Sequence, residues 1–353
     1  MNEIQRYLAE EIALDANDGI ISRREALRRL RVMGLSIASA TTLLGVACSS
    51  DDDEPTVASE PVLPVDERPT PAGGDSALEP PAAGGDDERP SDLAQGGSGG
   101  ESASPAPEDP APAPADPEAP APAAGTPLAT SEITFQGPRG PLFAAFAAPA
   151  APLGAVLVIH ENRGLNDHIR SVAGRLAGAG YAALALDLLS EEGGTASLGD
   201  PANATAALGA VAPERFVADM IAGLDELARR APGAKLGAIG FCFGGGMMWR
   251  LVQAADARLA AAAPFYGPLP QGAAFTGASS AVLAFYGELD ARVNGTRDAA
   301  EAALSAASLP HELVTFPGAD HAFFNDTGAR YNAEAAGAAW TRLLAWFGTY
   351  LTS

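Results

Sequence analysis

The chain has 353 residues, a formal net charge of −22 at pH 7 and a hydrophobic content of 47%. An acidic balance of this size excludes the basic, aromatic-interleaved surface that nucleic-acid binding requires. The charge is concentrated: residues 49–130 hold 16 of the 22 net negative charges and 17 of the 29 prolines, so the low pI describes a segment rather than a globular surface.

Residues 1–48 come first and read as an export leader. Arg23-Arg24 form a twin-arginine pair, and the apolar run from Val32 to Ala47 has the length of a signal h-region, short of the roughly 20 residues that span a bilayer. Small residues lead into Cys48, as at a lipoprotein cleavage site. Export to the periplasm or cell surface, with a lipid anchor on Cys48 as the membrane partner, is the expectation. The alternative is an amphipathic cytoplasmic helix over ISRREALRRLRVMG. Cys242 is then the single remaining thiol, with no disulfide partner.

Residues 49–130 follow. The run PAPEDPAPAPADPEAPAPAAG, Pro105 to Gly125, has too little apolar side chain to offset chain entropy. The segment is expected to be a disordered, extended linker.

Residues 131–353 are expected to form one well-buried domain. A hairpin at Thr130–Gln136 and Leu142–Ala148 opens it. Near-continuous apolar runs then predict strands at Ala155–His160, Ala182–Leu186, Lys235–Phe241, Leu259–Phe265, Ala281–Tyr286 and His311–Phe316. Helical patterns alternate with them near Asp167–Ala179, Pro213–Arg230, Gly244–Ala255, Thr296–Ala307 and Ala329–Tyr350. This is an α/β pattern: a mostly parallel central sheet with helices on both faces.

In such a sheet, chemistry gathers at the carboxyl ends of the strands. Four polar residues follow predicted strands closely: Glu161, Cys242, Asp290 and His321. Gly240-Phe241-Cys242-Phe243-Gly244 fits a nucleophile elbow, a strained strand-to-helix turn whose flanking glycines allow close packing. Nucleophile, then acid, then histidine is the chain order of the α/β-hydrolase triad. Each residue also has a bland reading. Cys242 alone would be a buried thiol, His321 a loop histidine bonded to Asp320, and Glu161 an ion-pair partner of Arg163 or Arg170. Glu288 competes with Asp290 for the role of acid. A metal reading of His160, Glu161 and His168 fails on spacing, since it is not H-E-x-x-H, and no metal is expected. Gly244–Gly246 lack the Lys-Ser/Thr of a phosphate loop, and no cofactor is expected.

With GFCFGGG, YGELDARV, PGADHAFFN and HENRGLNDHI in register, residues 131–353 resemble the dienelactone hydrolases, also called carboxymethylenebutenolidases. The resemblance implies an α/β-hydrolase fold and a cofactor-free hydrolase of ester, lactone or thioester bonds in a small-molecule substrate. It implies Cys242 as nucleophile, His321 as proton carrier, Asp290 as its orienting acid, and Glu161 as the group that holds the resting thiol. Backbone N–H groups of Phe243 and Asn162 would form the oxyanion hole. Arg163, Tyr266 and Asn325 are candidate pocket residues. The pattern departs from the family in one respect. Members acting on dienelactone clamp its carboxylate with arginines. Asn325 stands at one such position, and Glu191–Val211 contains no arginine for the other, leaving Arg163 and Arg215 as candidate substitutes. The competing function is a surface-anchored binding or scaffold protein that keeps the fold without turnover.

Overall fold

Val156, Leu157 and Val158 have no solvent exposure, and neither do Ala182 to Leu186 or Ala238 and Ile239. Runs that are apolar on both faces need a layer of helix on each side, and the chain supplies it. The computed structural model describes residues 1–45 and 125–352. Cys48, the end of the apolar leader run and nearly all of the linker lie outside the described residues.

Among the described residues, eight strands make one sheet: β1 (Ser131–Gln136), β2 (Pro141–Ala147), β3 (Ala155–Ile159), β4 (Ala182–Leu186), β5 (Leu236–Phe241), β6 (Leu259–Phe265), β7 (Ala281–Gly287) and β8 (His311–Phe316). Their order is β1-β2-β4-β3-β5-β6-β7-β8. The β1–β2 and β2–β4 pairs are antiparallel, and every other pair is parallel. The strand boundaries expected from the apolar runs agree to within a residue.

Among the described residues, ten α-helices accompany the sheet: α1 (Glu3–Asn17), α2 (Arg23–Val32), α3 (Ile37–Leu43), α4 (Asp167–Gly178), α5 (Pro201–Ala210), α6 (Pro213–Arg230), α7 (Phe243–Gln253), α8 (Ala291–Asn294), α9 (Arg297–Ala306) and α10 (Ala333–Tyr350). The last begins four residues later than the pattern suggested, because Asn332 caps it by accepting from the Ala335 N–H. Helix α5 went unread. Its signals are an Asp200 cap and Pro201 in the first turn, but its alanine-rich sequence carries little periodic contrast.

From β3 the chain moves to β4 on one side and then returns past β3 to β5 on the other. This reversal opens a crevice between the carboxyl ends of β3 and β5. Glu161 follows the first strand and Cys242 the second, so the topology sets them on opposite sides of the crevice.

Residues 1–45 of the segment read as a leader are folded. Asn2 caps α1 through a 2.7 Å bond from the Gln5 N–H, and Ser22 caps α2 by accepting from the Glu25 N–H. Ile4, Leu8 and Ile12 recur every fourth residue on α1 and are buried against the domain core. The expected continuous apolar run breaks at Gly34, whose φ of 84° ends α2 and turns the chain into α3. No helix among the described residues is long and apolar enough to cross a membrane.

Candidate active site

Cys242 sits in the turn between β5 and α7 with φ 56° and ψ −116°, a conformation that a residue with a Cβ adopts only under strain. The strain is held by close packing on both sides. A Cβ on Gly244 would lie 2.6 Å from the carbonyl oxygens of both Ile159 and His160, so only glycine lets α7 approach β3 this closely. The Cys242 N–H is bonded to Phe265 O at 3.0 Å, which pins the turn to β6. Tyr266 and Ala322, which follow β6 and His321, also have positive φ. Three of the five non-glycine residues with this strain therefore lie at one rim of the sheet.

At that rim His321 meets Asp290. Nδ1 of the imidazole is 2.6 Å from Asp290 Oδ2, and both side chains are buried. Asp290 also caps α8 by accepting from the Val293 N–H, which fixes its other oxygen. Glu288, the competing acid, points elsewhere and accepts from the Gly318 N–H at 2.8 Å. Asp320 accepts from the backbone N–H of His321, not from its ring. Burial alone would depress the imidazole pKa, but the charges of Asp290 and Cys242 outweigh it and push it up to about 9.

The sulfur of Cys242, a ring nitrogen of His321 and a carboxylate oxygen of Glu11 lie within 4.8 Å of one another. Sequence reasoning missed Glu11 entirely. It reaches the site from α1, with Oε2 3.3 Å from His321 Nε2 and 3.8 Å from Cys242 Sγ. Tyr7, one turn earlier on α1, places its hydroxyl 3.3 Å from the same sulfur. Burial, then the nearby sulfur charge, raise the Tyr7 pKa well above the ordinary phenol value, so the phenol keeps its proton and can direct an O–H···S hydrogen bond at Cys242. Arg292, on α8, pairs with Glu11 and lies 4.4 Å over the Tyr7 ring. The only early signal was the four-residue spacing of Tyr7 and Glu11, which puts both on one helix face. Cysteine, histidine and carboxylate together form a donor set that zinc accepts.

Glu161 lines the same cavity as Cys242, but its bonds run elsewhere. Its oxygens accept from the Tyr266 hydroxyl at 3.3 Å and from Asn325 Nδ2 at 2.7 Å. The resting thiol is held by Tyr7 and Glu11 instead. Asn325 therefore fills its position as a positioning group for Glu161, and the Tyr266 phenol is kept protonated by burial and by the Glu161 charge. Asn162 and Arg163 border the cavity, with Arg163 exposed. The N–H groups of Phe243 and Asn162 make no hydrogen bond among the described residues. Arg215 is committed elsewhere, donating to Glu192 at 3.0 Å and to Leu188 O at 2.9 Å. His160 uses both ring nitrogens: Nε2 accepts from the Leu188 N–H, so Nδ1 donates to Glu161 O. His168 pairs with Asp326. The two histidines thus serve separate structural bonds.

A family model for the dienelactone hydrolase family matches residues 142–351. A protein named "Putative carboxymethylenebutenolidase" from Escherichia coli O157:H7 is 32% identical over 237 residues, covering 62% of this chain and 86% of the relative. One of the same name from Saccharolobus solfataricus is 30% identical over 247 residues, covering 60% of this chain and 95% of its own length. Among solved structures, one described as a "Putative Dienelactone Hydrolase" from Klebsiella pneumoniae aligns with a TM-score of 0.56 at 31% identity, over 63% of this chain and 98% of that one. A dienelactone hydrolase-like promiscuous phosphotriesterase from metagenomic libraries aligns with a TM-score of 0.52 at 26% identity, over 64% and 99%. All of these alignments cover at most two thirds of the present chain. With the parallel sheet, the strained cysteine turn and the matched 142–351 region, the chain adopts the α/β-hydrolase fold and belongs to the dienelactone hydrolase family.

Proposed function

We propose that this protein hydrolyses ester, lactone or thioester bonds in small molecules through Cys242, His321 and Asp290. The observation that supports this most directly is the shared position of a strained cysteine turn and a buried His–Asp pair at one rim of the sheet. The Cys242 thiolate attacks the carbonyl carbon, and the oxygen takes up negative charge facing the N–H groups of Phe243 and Asn162. The His321 imidazolium passes its proton to the leaving oxygen or sulfur as that bond breaks. The acyl-enzyme remains. Water then attacks the acyl carbon, His321 accepts its proton and returns it to sulfur, and the carboxylic acid departs. Asp290 holds Nδ1 and stabilises the charged ring throughout. Glu161, held by Tyr266 and Asn325, positions the wall opposite the thiol.

Mixing the protein with a small aryl acetate tests the reading. The expected result is an acetylated Cys242 peptide in the quench, with phenol release that is slow while α1 covers the sulfur and fast once it is displaced. Release that persists unchanged in Cys242→Ala overturns it. A panel of lactones, thioesters and an aryl phosphotriester then sorts the substrate class. The leader reading adds location: the chain is exported and anchored through a lipid on Cys48. The mass of the mature N-terminus checks this, and an intact Met1 form in the cytosol refutes it.

A further inference from the structure

We propose that α1 is an intramolecular plug: it docks reversibly in the groove over the Cys242 site, silences the thiol while seated, and exposes a working site when it leaves. The inference rests on the catalytic reading of Cys242 given above and adds a means of control.

The first support is access. Cys242 is 3% exposed and His321 5%. The cavity at the thiol, bordered by Glu11, Glu161 and Asn325, has a volume of about 70 Å³. Pockets that take small organic ligands run to several hundred Å³. A lactone or an aryl ester therefore has no room to reach the sulfur while α1 is in place.

The second is chemistry. Tyr7 donates to the thiol, and the Glu11 carboxylate stands between sulfur and imidazole. Arg292 holds that carboxylate in turn. A substrate carbonyl has to occupy this same volume, within reach of both Sγ and Nε2. Glu11 fills it with a planar group that has no leaving atom, as a pseudosubstrate would.

The third is the incomplete fit. His321 Nε2 is near Glu11 but lacks hydrogen-bond geometry. Together with Nε and Nη1 of Arg292, it is buried without a partner among the described residues. A permanent core contact leaves few such groups over. Polar groups whose working partner is a different molecule are left over when a helix takes its place.

The fourth is the manner of attachment. Five apolar residues of α1 are buried, and ion pairs flank them: Glu3 with Arg250, and Asp15 and Asp18 with Arg330. The two pairs with an exposed carboxylate, Glu3–Arg250 and Asp18–Arg330, weaken with salt. The plug precedes a Pro- and Ala-rich stretch of the chain, residues 46–124, so cleavage in that stretch would sever it from the sheet domain. Removal of the leader, on the reading of residues 1–48 as an export signal, would be one route to release.

The test uses the full chain. Leu8→Asp places a charge on the buried face of α1, away from the reacting atoms. Asp15→Asn with Asp18→Asn removes the ion pairs to Arg330 and leaves the buried apolar face of α1 untouched. Iodoacetamide labelling of Cys242 and aryl-ester turnover are measured for both and for wild type, with circular dichroism to confirm folding. Labelling and turnover should each rise tenfold or more in Leu8→Asp, and in the same direction in the double variant. If Leu8→Asp is unfolded, the double variant decides alone. Labelling as slow as wild type, or turnover that falls, overturns the plug and makes α1 a fixed wall of the site. Labelling that rises while no ester, lactone or thioester is turned over in any form keeps the plug and removes the hydrolase reading. Rapid turnover by wild type with no gain in the variants does the opposite.

Discussion

The imidazole of His321 lies between two carboxylates: Nε2 is 3.3 Å from Glu11, and Nδ1 is 2.6 Å from Asp290. One carboxylate comes from the acid loop after β7 and the other from the first helix of the chain. Against the cost of burial, the charges of Asp290 and Cys242 push the ring's pKa up to about 9, so it stays charged at neutral pH. This has a consequence for stability. A histidine whose folded pKa lies above its unfolded value of 6.5 stabilises the fold fully below about pH 6.5 and loses that contribution as pH rises through 9. Urea unfolding of wild type should weaken over that window by about 3 kcal/mol at most. His321→Gln should lack this slope, and an equal slope in both forms would assign it to another group.

Cys242→Ala should remove turnover of an aryl ester by about 10³-fold or more, as expected for a nucleophile that acts as a unit with its base. The side chain is small and buried, so the melting temperature should change little. Retained turnover with normal folding would place the nucleophile elsewhere.

Asp290→Asn and Glu288→Gln separate the two acids. Asp290 bonds the imidazole, whereas Glu288 bonds the Gly318 N–H. Turnover should fall by about 10³–10⁴-fold in the first, as the ring loses its tautomer and its charge partner, and by less than about twofold in the second. Equal effects would contradict the geometry.

Gly244→Ala tests the elbow. Its Cβ would press on two carbonyl oxygens of the β3 end, neither of which can move without breaking the sheet. Destabilisation by about 2 kcal/mol or more is expected in thermal or urea melts. An unchanged melting point would mean that α7 has room to shift.

Alkylation of Cys242 by iodoacetamide should be slow in the folded wild type at low salt and faster as salt rises. The ion pairs that border α1 with an exposed carboxylate are screened, while the buried His321–Asp290 pair is not. A rate independent of salt would show that these pairs do not hold the helix in place.

Much of the domain could be read in advance because its signals are local. Apolar runs at 155–160, 182–186 and 259–265 named buried strands, and the turn residues around Cys242 named the elbow. The order Cys242, Asp290, His321 set three side chains after β5, β7 and β8, and parallel topology brings such strand ends to one edge of the sheet. Glu161 lies in the same crevice as Cys242, but its partners could not be read from the sequence. They depend on Tyr266 and Asn325, from loops after β6 and β8, and on which oxygen each can reach.

Residues 1–21 mark the boundary between what a sequence holds and what a fold adds. The period of Ile4, Leu8 and Ile12, with Asn2 as cap, already determined that a helix with one apolar face could form. A stripe of three aliphatic residues fits any apolar groove, so the pattern carried no address. Only the tertiary structure decided that this groove is the one above Cys242, because contacts between residues 7 and 242 depend on shape complementarity across the whole domain rather than on neighbours along the chain.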